Sequence, residues 1–270
     1  MGSNNALFTT VLTIAGSDSG GGAGIQADLK TFAFHCVHGA SALTCLTAQN
    51  TTQVIQVEPV APAFLQAQIH AVVDDLSVQA IKTGMLYSAE LMGVVVESLA
   101  PLSNIPLVVD PVMVTRTGVS LMDQSAIATM RDNVLPLASI ATPNRYEATL
   151  LSGIEIVDEA TVVKAAQIIQ KQGPSSVLIK GGGFKGALQA VDYWFNPQTG
   201  GQWLTTEMVN TPNTHGTGCT LSAAIAANLA LGQTPLNAVR EAKTYVTDAL
   251  KHGLIVGRGP GPVGHFYPLL

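Results

Sequence analysis

Short β-rich apolar runs alternate along this chain with longer segments of helical spacing, and that rhythm limits the fold more than any other feature. The apolar runs lie at 8–14, 80–81, 107–109, 139–141, 177–179 and 191–195. Between them, residues 158–172 place Val162, Ala166 and Ile169 on one helical face and stop at Gly173-Pro174. Residues 235–252 form a second such segment, closed by Gly253. Hydrophobic period and terminal residues together identify these segments as helices. Strand followed by helix, repeated, predicts a mostly parallel sheet covered by helices on both faces, an α/β class.

Residues 39–58 break the rhythm, being rich in Thr and Val without a helical period. They are expected to add edge-strand or flap structure to a single domain spanning 1–270. No linker, repeat or low-complexity tract divides the chain. At 270 residues and 47% hydrophobic content it can bury one substantial core. Charged residues make up only 11%, which excludes a solvated disordered chain. Thirteen basic against eighteen acidic side chains give a net charge of −5, without the basic patch of a nucleic-acid protein. Mean hydropathy is +0.33, yet no apolar run reaches the ~18 residues of a membrane span. The opening MGSNNALFTTVLTIAG lacks the basic residues of a secretory signal, and Cys36, Cys45 and Cys219 form no C-x-x-C pair. Together these features predict a cytoplasmic protein without a disulfide framework or zinc site.

In an open parallel sheet, ligands sit beyond the carboxyl ends of the strands. Four runs here end in polar residues: Gly16-Ser17-Asp18, Asp110-Pro111-Val112, Thr142-Pro143-Asn144 with Glu147 three positions on, and Lys180 followed by three glycines. Any one of these could simply cap a turn. All four at one rim point to a polar site.

Two glycine-rich segments flank that rim. In GSDSGGGAGIQADLKTF, residues Gly22, Gly24 and Ala27 fit the G-x-G-x-x-A dinucleotide fingerprint. That fingerprint requires an acidic residue ~20 positions further on to hold a ribose. No Asp or Glu lies between Asp28 and Glu58, so a nicotinamide dehydrogenase is disfavoured. The glycines still admit close approach of a ligand, and Asp18 and Asp28 can bond a polar ring or hydroxyl. In NTHGTGCTLSAAIAANLALG, His215-Gly216-Thr217-Gly218 leads into an Ala-rich helix starting near Cys219. Unobstructed amides at a helix start bind anions. A thiol in that first turn meets the positive end of the helix dipole, which favours thiolate. The alternative for Cys219 is a small buried core residue. No G-x-x-x-x-G-K-[ST] occurs, which excludes a Walker-type binder. An anion hole beside Asp110, Glu147 and Lys180 suits Mg²⁺ and phosphoryl transfer, which needs positioning and charge neutralisation.

Eight motifs in order then make a specific resemblance: AGSDSGGGAGIQADLKTF at 15–32, TAQN at 47–50, IKTGML at 81–86, VVDPVM at 108–113, TPNRYEA at 142–148, IKGGG at 179–183, NTHGTGCT at 213–220 and GPGPVGHF at 259–266. The chain resembles the ribokinase-like superfamily and, within it, the hydroxymethylpyrimidine/phosphomethylpyrimidine kinases of thiamine biosynthesis. The resemblance implies a three-layer α/β/α sandwich and ATP-dependent phosphorylation of 4-amino-5-hydroxymethyl-2-methylpyrimidine and then of its monophosphate.

It implies an anion hole at Gly216, Thr217 and Gly218, with Cys219 in the place of the superfamily's Asp base. Asp110 and Glu147 would organise Mg²⁺. Lys180, Asn144 and Thr214 would face ATP. Gly16, Asp28, Gln49, Met85 and Val112 would surround the pyrimidine, and the Gln49 amide matches an aminopyrimidine edge by offering donor and acceptor together. A homodimer is expected, formed at the strand-like stretch 39–58. Three positions depart from the family pattern: Gly21 for Ser, Gly183 for His, and Arg116 for Lys. The alternatives are a pyridoxal kinase, whose relatives tend to carry Met in place of Gln49, and a non-catalytic pyrimidine-binding sensor.

Overall fold

A computed structural model describes residues 8–114, 122–184 and 186–270. The expectation for Arg116 lies outside the described residues. The described residues form ten strands: β1 (Thr10–Ala15), β2 (His38–Leu43), β3 (Cys45–Gln49), β4 (Val54–Pro59), β5 (Val78–Thr83), β6 (Leu107–Val109), β7 (Ile140–Ala141), β8 (Ser176–Ile179), β9 (Asp192–Asn196) and β10 (Gly200–Leu204). Among the described residues eight α-helices accompany them: α1 (Gly24–Phe34), α2 (Pro62–Val73), α3 (Ala89–Leu99), α4 (Gln124–Thr129), α5 (Arg145–Ser152), α6 (Glu159–Lys171), α7 (Thr217–Ala230) and α8 (Pro235–Lys251).

Eight strands form one sheet in the order β10-β9-β8-β7-β6-β5-β1-β2. The strands from β2 through β8 pair in parallel, while β9 and β10 close the other edge antiparallel. Burial on both faces explains why the strands read as continuous apolar runs rather than alternating ones. Val108 and Val109 are neighbours in sequence but belong to different cores, as are Ile140 and Ala141, and Leu178 and Ile179. One core packs the sheet against Ile69 of α2, Val95 of α3, Ile127 of α4, Leu151 of α5 and Ile169 of α6. The other packs it against Phe32 of α1, Ile225 of α7 and Val239 of α8. The expected α/β/α sandwich is therefore the observed one.

The first strand begins later than its apolar run suggests: Thr10 opens β1, and Phe8 is 81% exposed. Helix α6 has the expected limits. Asp158 caps it in a reciprocal box with Thr161, and Gly173 leaves the helix at φ 126°, closed to other residues. The stretch 39–58 divides in two. Strand β2 takes the edge of the main sheet beside β1, whereas β3 and β4 form a separate antiparallel hairpin. The hairpin's turn is fastened to the C-terminal glycine loop, where Arg258 N and Gly259 N donate to Thr51 Oγ1 (3.2 and 3.1 Å). Strand β10 had no sequence forecast, because its GGQWL carries one Trp and one Leu among glycines. Among the described residues no helix is long and apolar enough to cross a membrane.

Candidate active site

Parallel pairing sets β1, β5, β6, β7 and β8 side by side, so the residues following them share one rim. Lys180, just beyond β8, donates to Asp110 Oδ1, just beyond β6, at 2.6 Å. Between them the backbone continues as a parallel bridge, Asn144 opposite Lys180, with Lys180 N donating to Pro143 O (2.9 Å). Asn144 caps α5, and Glu147 returns a carboxylate oxygen to Asn144 N at 2.8 Å. That capping box buries Glu147. Burial pushes its carboxyl up to about 7, Asp110 adds to the rise, and the Lys180 ammonium opposes it.

Helix α7 aims its first turn at this cluster. Its N-cap Gly216 has φ 80°, and a Cβ there would lie 1.8 Å from Gly22 O. Only glycine fits on both grounds. A Cβ on Gly218 would sit 3.4 Å from Lys180 Nζ and 3.7 Å from Asp110 Oδ2, so the amides at the helix start face the Asp110–Lys180 pair. Ser222, one turn on, donates to Asp110 Oδ2 (3.2 Å). Thr217 Oγ1 donates to Thr214 O (2.7 Å), fixing the approach to the turn.

Cys219 occupies the same first turn, and the helix begins at Thr217, two residues before the start its sequence suggested. The expectation of a lowered thiol pKa is corrected. Burial pushes the Cys219 thiol up to about 11, against Lys82 and a hydrogen bond from the Gly24 amide. The helix dipole is worth ~0.3–1 kcal/mol in ordinary settings, and desolvation of a thiolate outweighs it here.

Gly16 and Met85 line one wall beyond β1 and β5. A Cβ on Gly16 would lie 2.7 Å from Cys45 Sγ and 2.9 Å from Met85 Cε. Gln49 ends β3, where its N–H donates to Ser19 Oγ and its carbonyl accepts from the same hydroxyl, both at 2.7 Å. Its side-chain amide has no hydrogen-bond partner among the described residues. Val112 follows Asp110 and is partly buried. Asp28 is fully buried; its Oδ2 accepts from Lys82 Nζ (2.8 Å) and Thr13 Oγ1 (2.7 Å), while its Oδ1 has no hydrogen-bond partner among the described residues. Asp18 bonds three backbone amides and His215.

With this geometry in place, residues 18–264 match the family described as phosphomethylpyrimidine kinase. The chain belongs to the phosphomethylpyrimidine kinase family. It is 60% identical over 258 residues to the hydroxymethylpyrimidine/phosphomethylpyrimidine kinase of Synechococcus elongatus, covering 96% of this chain and 97% of that one. Among solved structures, an ADP complex of Bacillus subtilis pyridoxal kinase superposes with a TM-score of 0.90 at 37% identity, covering 97% of this chain and 99% of the other. Phosphomethylpyrimidine kinase from Clostridium difficile superposes with a TM-score of 0.80 at 40% identity, covering 89% and 99%. This member of the phosphomethylpyrimidine kinase family is thus a phosphotransferase.

Two buried ion pairs in this kinase escaped the sequence reading. Lys82, inside IKTGML, pairs with Asp28 with neither side chain exposed. Lys243 on α8 pairs with Asp192 (2.8 Å), whose other oxygen accepts from Gly181 N (2.7 Å) and so anchors the glycine turn after Lys180. The available signal was charge out of place. Lys82 interrupts an apolar strand, and Lys243 sits on the same face of α8 as Val239 and Val246. A charge buried at such a position must be paired.

Proposed function

We propose that the protein transfers the γ-phosphoryl group of ATP to the hydroxymethyl oxygen of 4-amino-5-hydroxymethyl-2-methylpyrimidine. It then transfers a second phosphoryl group to the monophosphate, giving the diphosphate used for thiamine. The observation that carries this reading is the start of α7, where Gly216, Thr217 and Gly218 face Lys180 and Asp110 with Cys219 in the same turn. Amides there stabilise charge on the moving phosphoryl group, and Lys180, Asn144 and Thr214 hold the nucleotide phosphates. Cys219 accepts the substrate hydroxyl proton. It must first lose its own, and Lys82, Lys180 and the Gly24 amide are the groups that favour the thiolate.

Asp110 and Glu147 offer two carboxylates near one ammonium, Lys180, which bonds Asp110. That excess of negative charge fits Mg²⁺, which takes one or two carboxylates together with substrate phosphates. Bound Mg²⁺ would neutralise charge between the phosphates. Gly16, Gln49, Met85 and Val112 surround the pyrimidine, with the unpaired Gln49 amide reading its amino edge. The buried Asp28 supports that wall from below through Lys82.

We read the chain as one cytoplasmic kinase domain acting as a homodimer. Leu46, Val54 and Ile55 expose apolar surface on a two-stranded hairpin with bare edges, which suits pairing with a second copy. A second activity on pyridoxal is favoured by the close superposition on a pyridoxal kinase. Mass spectrometry of products from protein, MgATP and hydroxymethylpyrimidine tests the main reading. The diphosphate is expected, monophosphate alone would remove the second step, and unreacted substrate would overturn the assignment.

A further inference from the structure

Asp18 and His215 both lie in motifs of the family resemblance, yet the phosphoryl-transfer chemistry above gives neither any work. Asp18 is buried and its oxygens are fully engaged. Oδ1 accepts from Gly20 N (2.8 Å), while Oδ2 accepts from Gly22 N (3.0 Å), Ala23 N (2.8 Å) and His215 Nε2 (2.7 Å). The carboxylate can only accept, so Nε2 carries the proton in this contact. His215 is held from its own side as well. Its N–H donates to Gly261 O (3.1 Å), and its carbonyl accepts from Val263 N (3.3 Å).

One carboxylate therefore ties the glycine loop 18–24 to the turn that opens α7. The fit between them is tight. A Cβ on Gly22 would lie 2.4 Å from His215 Cδ2, and one on Gly216 would lie 1.8 Å from Gly22 O. The loop ends at Gly24, at φ 56° and 2.4 Å from Gly16 O by the same measure, and the Gly24 amide is the group that hydrogen-bonds Cys219.

We propose that Asp18 and His215 act as a clasp that registers the glycine loop on α7, so that the Gly24 N–H meets Cys219 Sγ. Both are positioning residues for phosphoryl transfer. The inference rests on the reading of Cys219 as proton acceptor. An amide donor favours the thiolate that must form before the sulfur can accept the hydroxyl proton, so loosening the clasp lowers kcat through the thiolate fraction while leaving the pyrimidine wall and the Lys180–Asp110 pair in place.

The test is steady-state kinetics on the full chain with MgATP and hydroxymethylpyrimidine, with thermal melting to confirm folding. His215→Ala should lower kcat by about ten- to a hundredfold, the range expected when a reacting group shifts by a fraction of an ångström to an ångström. Both KM values should change little. His215→Gln, whose amide can replace Nε2 as donor, should recover most of the loss. In a Cys219→Ala background, adding His215→Ala should cost nothing further, because the clasp works through the sulfur. Should His215→Ala melt too low to assay, His215→Phe, which keeps the bulk of a ring but has no donor for Asp18, carries the same comparison. Unchanged kcat in His215→Ala, no recovery in His215→Gln, or a further loss in the Cys219→Ala background would overturn the clasp. A fully active Cys219→Ala would overturn the base reading first, and that single variant separates the two failures.

Discussion

Cys219 shows how competing local effects settle the state of one atom. Helix start, Lys82 and the Gly24 amide favour thiolate, but burial leaves the thiol at about 11. Below that value the thiolate fraction grows with pH, so turnover limited by chemistry should rise about tenfold per pH unit between roughly pH 7 and 9. Cys219→Asp, ionised throughout that interval, should flatten the slope. Initial rates across the range decide the matter, and a flat wild-type profile would remove Cys219 as the base. Glu147 is tuned in the same sense. Burial raises its folded value to about 7, so the stability it contributes is present at acidic pH and lost as pH rises through 7. In metal-free protein, Glu147→Gln should therefore melt higher than wild type at pH 8 and equally at pH 5, while losing turnover with MgATP. Gln49 enters through the family resemblance, and its side-chain amide, which offers donor and acceptor together, suits an aminopyrimidine edge. Gln49→Met should weaken pyrimidine turnover far more than pyridoxal turnover in paired assays, and equal losses would leave substrate choice unexplained. The ion pair of Asp28 was not legible, because its one-letter context is the same with or without Lys82 nearby, and only the opposition of Thr13 and Lys82 on adjacent strands brings the three groups together.

Helix ends carry most of the information at the scale of elements. Asp158 and Gly173 bracket α6 as their chemistry requires, and the Gly216 turn opens α7 in a conformation that excludes other residues. These two ends should respond differently to mutation. Gly216→Ala places a Cβ against Gly22 O in left-handed backbone, a strain of ~1–2 kcal/mol before any clash is counted. It should raise the KM for ATP and lower the melting temperature together. Asp158→Ala removes a cap remote from the rim and should cost ~1 kcal/mol in stability with kcat and KM intact. Kinetics beside thermal melts on the two variants check both outcomes. The sequence predicts the start of α7 near Cys219, whereas the helix begins at Thr217, although Thr217 and Gly218 are weak helix formers. Tertiary contact with Gly22 and Thr214 overrides that preference.

At the scale of the whole molecule, one sheet brings five strand ends into line, and a hairpin outside the sheet ties Gln49 to Ser19 in the loop after β1. Strand β2 was foreseeable as an edge, but the β3–β4 hairpin was not separable from it by composition, since both are rich in small and β-branched residues. If the hairpin's exposed apolar face joins two copies, replacing Val54 and Ile55 by Asp should halve the mass measured by light scattering. A monomeric wild type at micromolar concentration would dismiss the dimer. The sequence by itself determined the alternation of strand and helix, the rim of polar residues and the helix-start cradle, because each follows from local period, turn chemistry or a motif. Only the tertiary structure decided how Cys219 is protonated, that Asp28 turns to Lys82, and that Asp18 clasps His215. Those outcomes depend on desolvation and on partners brought together from distant parts of the chain, and neither is encoded in the spacing of neighbouring residues.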